Sequence, residues 1–258
     1  MNYKLIFKSA ILSGEIMLRN GAETYRVEDT INRILKTTNF QVIESFVTPT
    51  GIFATLDDPT IEMITYVKRV NKRTIHLSKV ELTNDISRKY CTNQLTIEEA
   101  YEKLLEVKGK SAYSNMLTII ATGLAAGFFT TVFSGNLRDF IASSIIGANL
   151  ALIDILFKKL NIYKFFYDIV GGCLIALIAI LFTKLIPLGT NFDLIIIGSI
   201  MPLVPGVAFT NAIRDTIEGN LLSGISRGVE ALIVAASIAT GVGVVLKLYY
   251  LLSGGIAI

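Results

Sequence analysis

From residue 114 to the end, the chain runs through five apolar segments, at about 114–134, 140–157, 165–183, 193–210 and 229–250. Each is close to the roughly 20 residues that an α-helix needs to cross a hydrocarbon core. A chain with this pattern has few folds open to it, because backbone polar groups in lipid must be satisfied within each helix. The spacing therefore predicts an α-helical multi-pass membrane protein with about five transmembrane helices. Composition agrees: of 258 residues, 52% are hydrophobic and only 17% are charged, and mean hydropathy is +0.58. Those values are too apolar for an ordinary globular enzyme.

Charge divides the chain. Residues 1–112 hold 16 Lys and Arg and 14 Asp and Glu, leaving 8 and 7 for the remainder. We read 1–112 as a soluble α+β domain and 113–258 as the membrane domain. Within the first part, 3–19 reads as a helix stopped by Gly21. Thr24 is placed to cap a second helix, whose Val27, Ile31, Ile34 and Leu35 share a face. Strands are expected at 42–48 and 51–57 around Thr48-Pro49-Thr50-Gly51, with a third at 61–69 and a fourth at 74–77. Ser78-x-x-Glu81 and Thr96-x-x-Glu99 read as capping boxes that open two amphipathic helices.

Loop charge gives an orientation. Lys158, Lys159 and Lys164, then Arg214 and Arg227, fall in alternate loops, against only Arg138 and Lys184 in the others. The positive-inside rule then places the N-terminal domain in the cytoplasm and the C-terminus outside the cytoplasmic (inner) membrane. Gly123-x-x-x-Gly127 and the Ala231, Ala235, Ala239, Gly243 series read as helix-packing stripes.

Several function classes find no support. Net charge is +3 with no basic cluster, which argues against nucleic-acid binding. His76, the one histidine, has no accompanying ligand set or nucleophile motif, so neither a metal site nor a hydrolytic triad is expected. No phosphate loop or other cofactor motif is present. Cys91 and Cys173 read as free thiols in a reducing compartment, and Lys4, Lys8 and Glu15 interrupt the first apolar run, unlike a signal peptide.

The candidate site centres on Met201-Pro202-Leu203-Val204-Pro205-Gly206 in the fourth apolar segment. Pro202 and Pro205 remove N–H donors, and Gly206 permits unusual backbone angles, so the helix is expected to break. Transporters use such broken ends to grip ions and carboxylates. Arg214, Asp215, Ser223, Arg227 and Glu230 follow, the last three on one face of a helix starting near Ser223. An Arg fork suits a solute carboxylate, and an acid suits an ammonium or a proton. A solvated loop with surface ion pairs and a re-entrant segment are equally open readings of 214–230. Asp154 and Asp168 each have a lysine four residues away, Lys158 and Lys164. Structural pairing is the favoured reading for both, with proton coupling as the other. Asn149 is a candidate interhelical hydrogen bond or solute contact.

Gly21-Ala22-Glu23-Thr24-Tyr25-Arg26-Val27-Glu28, Thr48-Pro49-Thr50-Gly51, Val80-Glu81-Leu82-Thr83-Asn84-Asp85, Pro202-Leu203-Val204-Pro205-Gly206, Arg214-Asp215, and Ser223-Gly224 through Arg227 and Glu230-Ala231 together resemble the threonine/serine exporter (ThrE) family. The resemblance runs over nearly the whole chain. Full-length members have about twice the helices expected here by the span rule, so the chain resembles the larger subunit of the split, two-component type. That implies a small partner membrane protein of four or five helices that completes the exporter. It also implies export of threonine or serine, or of succinate-like dicarboxylates. Members place Gly-Asp where this chain has Gly219-Asn220, which removes one carboxylate from position 220. The expectation is a non-enzymatic, proton-driven exporter subunit without cofactors. A membrane-anchored sensor or scaffold is the alternative.

Overall fold

The structure is a computed structural model and describes residues 2–71, 73–110 and 113–253. The chain divides into two compact units, Met1–Ala112 with Gly206–Val229, and Tyr113–Pro205 with Glu230–Ile258.

The first unit is built around α1 (Tyr3–Arg19), whose turns from Ile6 to Leu18 are almost wholly buried. One side packs with Val27, Ile31, Ile34 and Leu35 of α2 (Thr24–Lys36) and with Val47, Ile52 and Leu56 of the sheet. The other side, through Leu12 and Ile16, meets Ile86 of α3 (Leu77–Cys91) and Ala100, Leu104 and Val107 of α4 (Ile97–Gly109). Gly14 lets α2 approach this closely, since a Cβ there would lie 2.6 Å from Ile31 Cδ1. Gly21, at φ +95°, turns the chain between α1 and α2.

The sheet is an antiparallel meander, β1 (Val42–Thr48), β2 (Gly51–Asp57) and β3 (Ile64–Arg69), with Thr48 paired to Gly51 across the two-residue Pro49-Thr50 loop. No fourth strand forms at 74–77. There the backbone donates to the end of α1 instead, Thr74 N to Arg19 O at 2.8 Å and His76 N to Asn20 O at 3.1 Å. Those bonds also set the start of α3. The helix begins at Leu77 with His76 in the cap position, so the box expected at Ser78 is replaced by a start one residue earlier. The Thr96–Glu99 box forms as expected, with both reciprocal bonds present.

Glu15 of α1 is 7% exposed and sits among three cations, Lys108 at 3.1 Å, Lys68 at 3.4 Å and Arg19 at 3.5 Å. Burial pushes its carboxyl up, but Lys108 and Lys68 outweigh burial and hold it below the usual value of 4.5. A depressed carboxylate stabilises the fold above its unfolded pKa and loses that contribution as pH falls through its folded value. Glu15→Gln is therefore expected to lower stability at pH 7 by about 1–2 kcal/mol, a hydrogen bond to a charged group discounted for the exposed lysines. The difference should shrink in melts well below pH 4.5. Equal differences at both pH values would contradict this role.

In the second unit α5 (Asn115–Val132), α6 (Leu137–Lys159) and α7 (Lys164–Ile180) are followed by a π-helical turn over Leu181–Leu185 and by α8 (Phe192–Ile200). Then come α9 (Gly206–Ile217), which belongs to the first unit, and α10 (Leu221–Leu252). Among the described residues, four helices are long and apolar enough to cross a membrane: 115–132, 137–159, 164–185 and 221–252. The expected fourth segment, 193–210, is not one of them. Its first helix ends at Ile200, where Leu203 N and Val204 N both turn back to Ile200 O at 2.8 and 3.2 Å. Pro202 and Pro205 have no N–H with which to carry a helix through.

Small residues set the helix contacts. A Cβ on Gly123 would lie 2.8 Å from Ser144 O, and one on Gly147 would lie 2.7 Å from Thr122 O, so α5 and α6 touch backbone to backbone. The stripe on α10 differs from expectation. Ala231, Val234, Ile238 and Gly241 are buried, whereas Ala235, Ala239 and Gly243 are exposed. The close approach is between Gly172 and Gly241, where a Cβ on Gly172 would stand 2.7 Å from Ile238 O. That crossing fixes the rotation of α10.

Candidate functional site

The charged segment after the break forms a helical hairpin within the first unit. α9 ends at Ile217, Gly219 adopts φ +86°, and Asn220 N donates to Asp215 O at 2.7 Å, which leads directly into α10 at Leu221. A Cβ on Gly224 would lie 3.0 Å from Ala212 O, so a larger residue would push the two helices apart. These glycines make a tight hairpin and not a flexible loop.

The hairpin carries a buried ionic clasp. Asp215 is 0% and Arg227 5% exposed, and Arg227 Nε stands 3.1 Å from Asp215 Oδ2. Arg227 Nη2 donates to Ala22 O at 2.8 Å, and Thr24 N donates to Asp215 Oδ1 at 2.9 Å. Asn211 Nδ2 donates to Gly21 O at 2.9 Å, and Arg214 Nη1 to Glu23 Oε1 at 2.7 Å. The turn Gly21–Thr24 is thus held at every residue by the hairpin.

This arrangement revises the cap expected from sequence. Thr24 is the first residue of α2, and Glu23 occupies the cap position without a side-chain cap bond. The carboxylate that satisfies the Thr24 N–H comes from Asp215, 191 residues away. The Asp215 carboxylate thus meets the α2 N-terminus on one oxygen and the Arg227 guanidinium on the other, two positively polarised partners. Of the open readings for 214–230, surface ion pairs in a solvated loop do not describe Arg227 and Asp215, which are fully enclosed. A pair so enclosed costs several kcal/mol of desolvation per ion, which the bonds to Ala22 O and from Thr24 N help to offset.

Other candidate residues have varied fates. Ser223 is 2% exposed, one turn before Arg227 on α10. Pro202 and Pro205 flank the turn after α8 and belong to the second unit, as does half-buried Glu230, while Gly206 opens α9. Asp154 is ion-paired with Lys158. Asp168, 1% exposed, has no hydrogen-bond partner on either carboxylate oxygen among the described residues. Asn149 Nδ2 donates to Ile145 O of its own helix at 2.8 Å.

Sequence reasoning did not single out Glu23 or Asn211 as site residues. Their signal was adjacency, Glu23 to the Gly21 turn and Asn211 one helical turn before Asp215 on α9. A cavity of about 560 Å³ in the first unit is lined by Asn2, Thr37, Tyr90, Gln94, Glu98 and others, with no basic residue. It is therefore poorly matched to a carboxylate.

Four membrane-length apolar helices in one chain define an integral membrane protein. The chain matches the family described as "Putative threonine/serine exporter" over residues 8–249, and it belongs to that family, one of transporters and not of enzymes. It is similar to the probable succinate transporter subunit YjjP of Klebsiella aerogenes, 22% identical over 241 residues that cover 90% of this chain and 88% of that protein. The protein of the same description from Escherichia coli K12 is 21% identical over 253 residues, covering 95% and 94%. No solved structure matches. The chain is a membrane exporter subunit.

Proposed function

We propose that this subunit moves small carboxylate-bearing metabolites out of the cell across the cytoplasmic membrane, driven by the proton gradient. In this reading residues 1–112 form a cytoplasmic domain, 113–258 form the membrane domain, and the C-terminus lies outside. The observation that carries the proposal is the Arg227–Asp215 clasp. Arg227 already holds a carboxylate at 3.1 Å in a dry setting, and a solute carboxylate can take the place of Asp215 on the same planar fork. Arg214, half exposed and bound to Glu23, offers a second guanidinium on the same hairpin. Two cations suit a succinate-like dicarboxylate, in keeping with the printed names of the two relatives. Threonine and serine, named by the family, are the other substrates to be compared.

Ser223, one turn before Arg227 on α10, extends the site. Pro202, Pro205, Gly206 and Glu230 are further candidates for substrate contact. Those relatives are each called a subunit, and we propose that a small YjjB-like membrane protein of four or five helices completes the exporter.

The test is efflux from cells lacking their own exporters, expressing this chain with and without that partner, assayed for succinate, threonine and serine. Succinate efflux that needs both chains and collapses with an uncoupler is expected. Carboxylate efflux no greater than from an empty vector would refute the proposal.

A further inference from the structure

Two carboxylates are buried among the membrane-length helices of the second unit, Asp139 and Asp168, each 1% exposed. They are treated very differently. Asp139 accepts from Thr190 N, Asn191 N, Asn136 N and the Thr190 hydroxyl. Asp168 accepts from nothing among the described residues. An ionised carboxylate without partners in such a place loses its hydration with no compensation, so its neutral, protonated form is the stable one there. Such a group holds a proton when enclosed and gives it up when water reaches it.

We propose that Asp168 is the residue that takes up and releases the coupling proton. This deepens, and rests on, the reading of the chain as part of a proton-driven exporter. Its position supports the assignment. Asp168, Gly171, Gly172, Ile175 and Ala176 make up the buried face of α7. Three residues after Asp168, Gly171 is covered by Leu203 of the helix break and Leu150 of α6, with 3.1 and 3.3 Å available to a Cβ there. Leu203 of the Met201–Pro205 segment thus packs within one turn of the acid, and in this proposal a rearrangement of that segment changes what water reaches.

The charged groups whose fields act on Asp168 are Lys164, one turn earlier on α7, and Asp154 of α6. Tyr167, whose phenol donates to Leu150 O at 3.4 Å, lies beside it. Ile195 and Ile196 of α8, Leu203 of the break, and Ile238 and Gly241 of α10 pack in the same unit and carry no ionisable group. The step balances simply. The carboxylate forms an O–H bond with a proton from hydronium on the wetted side, leaving water, stays neutral while access changes sides, and then returns that proton to water on the other side as hydronium.

The experiment uses the full chain with its partner in proteoliposomes, comparing native, Asp168→Asn and Asp168→Glu. Asp168→Asn is expected to keep one-for-one exchange of labelled substrate but to lose accumulation driven by a pH gradient, down to the level without a gradient. Asp168→Glu should regain a pH response. Infrared difference spectra of the full chain alone in lipid supply a second readout. The carbonyl band of a neutral carboxylic acid should be present in the native chain and missing from Asp168→Asn. A native response of Asp168→Asn to the pH gradient, or a Na⁺ gradient that replaces it in the native pair, would overturn the proposal, as would an unchanged carbonyl band. If the native pair moves no carboxylate at all, the exporter reading fails, and the infrared band alone decides whether Asp168 holds a proton.

Discussion

Arg227→Ala is expected to abolish export and weaken the fold, and the double variant Arg227→Ala/Asp215→Ala to regain part of the stability and none of the export. That is the result expected from a buried pair at 3.1 Å with Asp215 0% and Arg227 5% exposed. Removing the cation leaves Asp215 enclosed with only the Thr24 N–H as a donor, and breaking one side of a buried pair costs about 3–5 kcal/mol. Deleting the acid as well removes the uncompensated charge. What then remains lost are the bond from Arg227 to Ala22 O and the bond from Thr24 N to Asp215 Oδ1, each a hydrogen bond involving a charged group and worth roughly 1.5–3 kcal/mol.

Transport divides the variants differently, because a solute carboxylate needs the guanidinium in both cases. Arg227→Lys is informative for the same reason. An ammonium restores charge but lacks the planar fork that meets Asp215 and Ala22 together. It should retain more stability than Arg227→Ala and export poorly. Chemical denaturation of the detergent-solubilised chain and succinate efflux from cells measure the two effects separately. If Arg227→Ala exports at the native rate, Arg227 does not bind the solute.

Local patterns were readable from the sequence, and partner choice was not. The buried face of α2, the Pro49-Thr50 hairpin and the Thr96–Glu99 cap follow from spacing of four residues or fewer and are present as expected. The cap on α2 was misread because its acceptor lies on a helix 191 residues away, which no local pattern encodes. The expected strand at 74–77 fails for a related reason, since its backbone donors meet the end of α1. The proline break was legible, but the enclosure of Arg227 and Asp215 was not. Gly219, at φ +86°, turns the chain between α9 and α10, and Gly224 permits the close approach of the two helices.

Asp154 and Asp168 show how little a charge pattern decides. Each has a lysine at four residues' distance, but in Asp154–Lys158 the acid comes first and the pair forms. In Lys164–Asp168 the order is reversed, which is the weaker arrangement on a helix, and among the described residues no such pair is made.

Asp139→Ala is expected to unfold the end of the second unit that carries the α5–α6 turn, with the largest stability loss of any single substitution away from the clasp. Asp139 was not singled out from the sequence. Asn136-x-x-Asp139 is in fact a capping box, with Asn136 Oδ1 accepting from Asp139 N at 3.0 Å and Asp139 Oδ2 from Asn136 N at 3.3 Å. The same carboxylate reaches the loop before α8, where Oδ1 accepts from Thr190 N at 2.7 Å and Asn191 N at 3.0 Å. One side chain therefore ties the α5–α6 turn to the loop that starts α8, and Asn191 in turn caps α8 through Leu194 N. Truncation leaves the N–H groups of Asn136, Thr190 and Asn191 without their acceptor. Each unmade bond costs roughly 1–3 kcal/mol where water is excluded, so a total of about 3 kcal/mol is a modest expectation for a partly wetted loop. Asp139→Asn keeps one acceptor oxygen and gives an intermediate loss. Midpoints of unfolding in mixed detergent would rank native above Asn above Ala. Equal midpoints for native and Ala would mean that the loop is held by its apolar neighbours, Phe192 and Ile195, and not by this carboxylate.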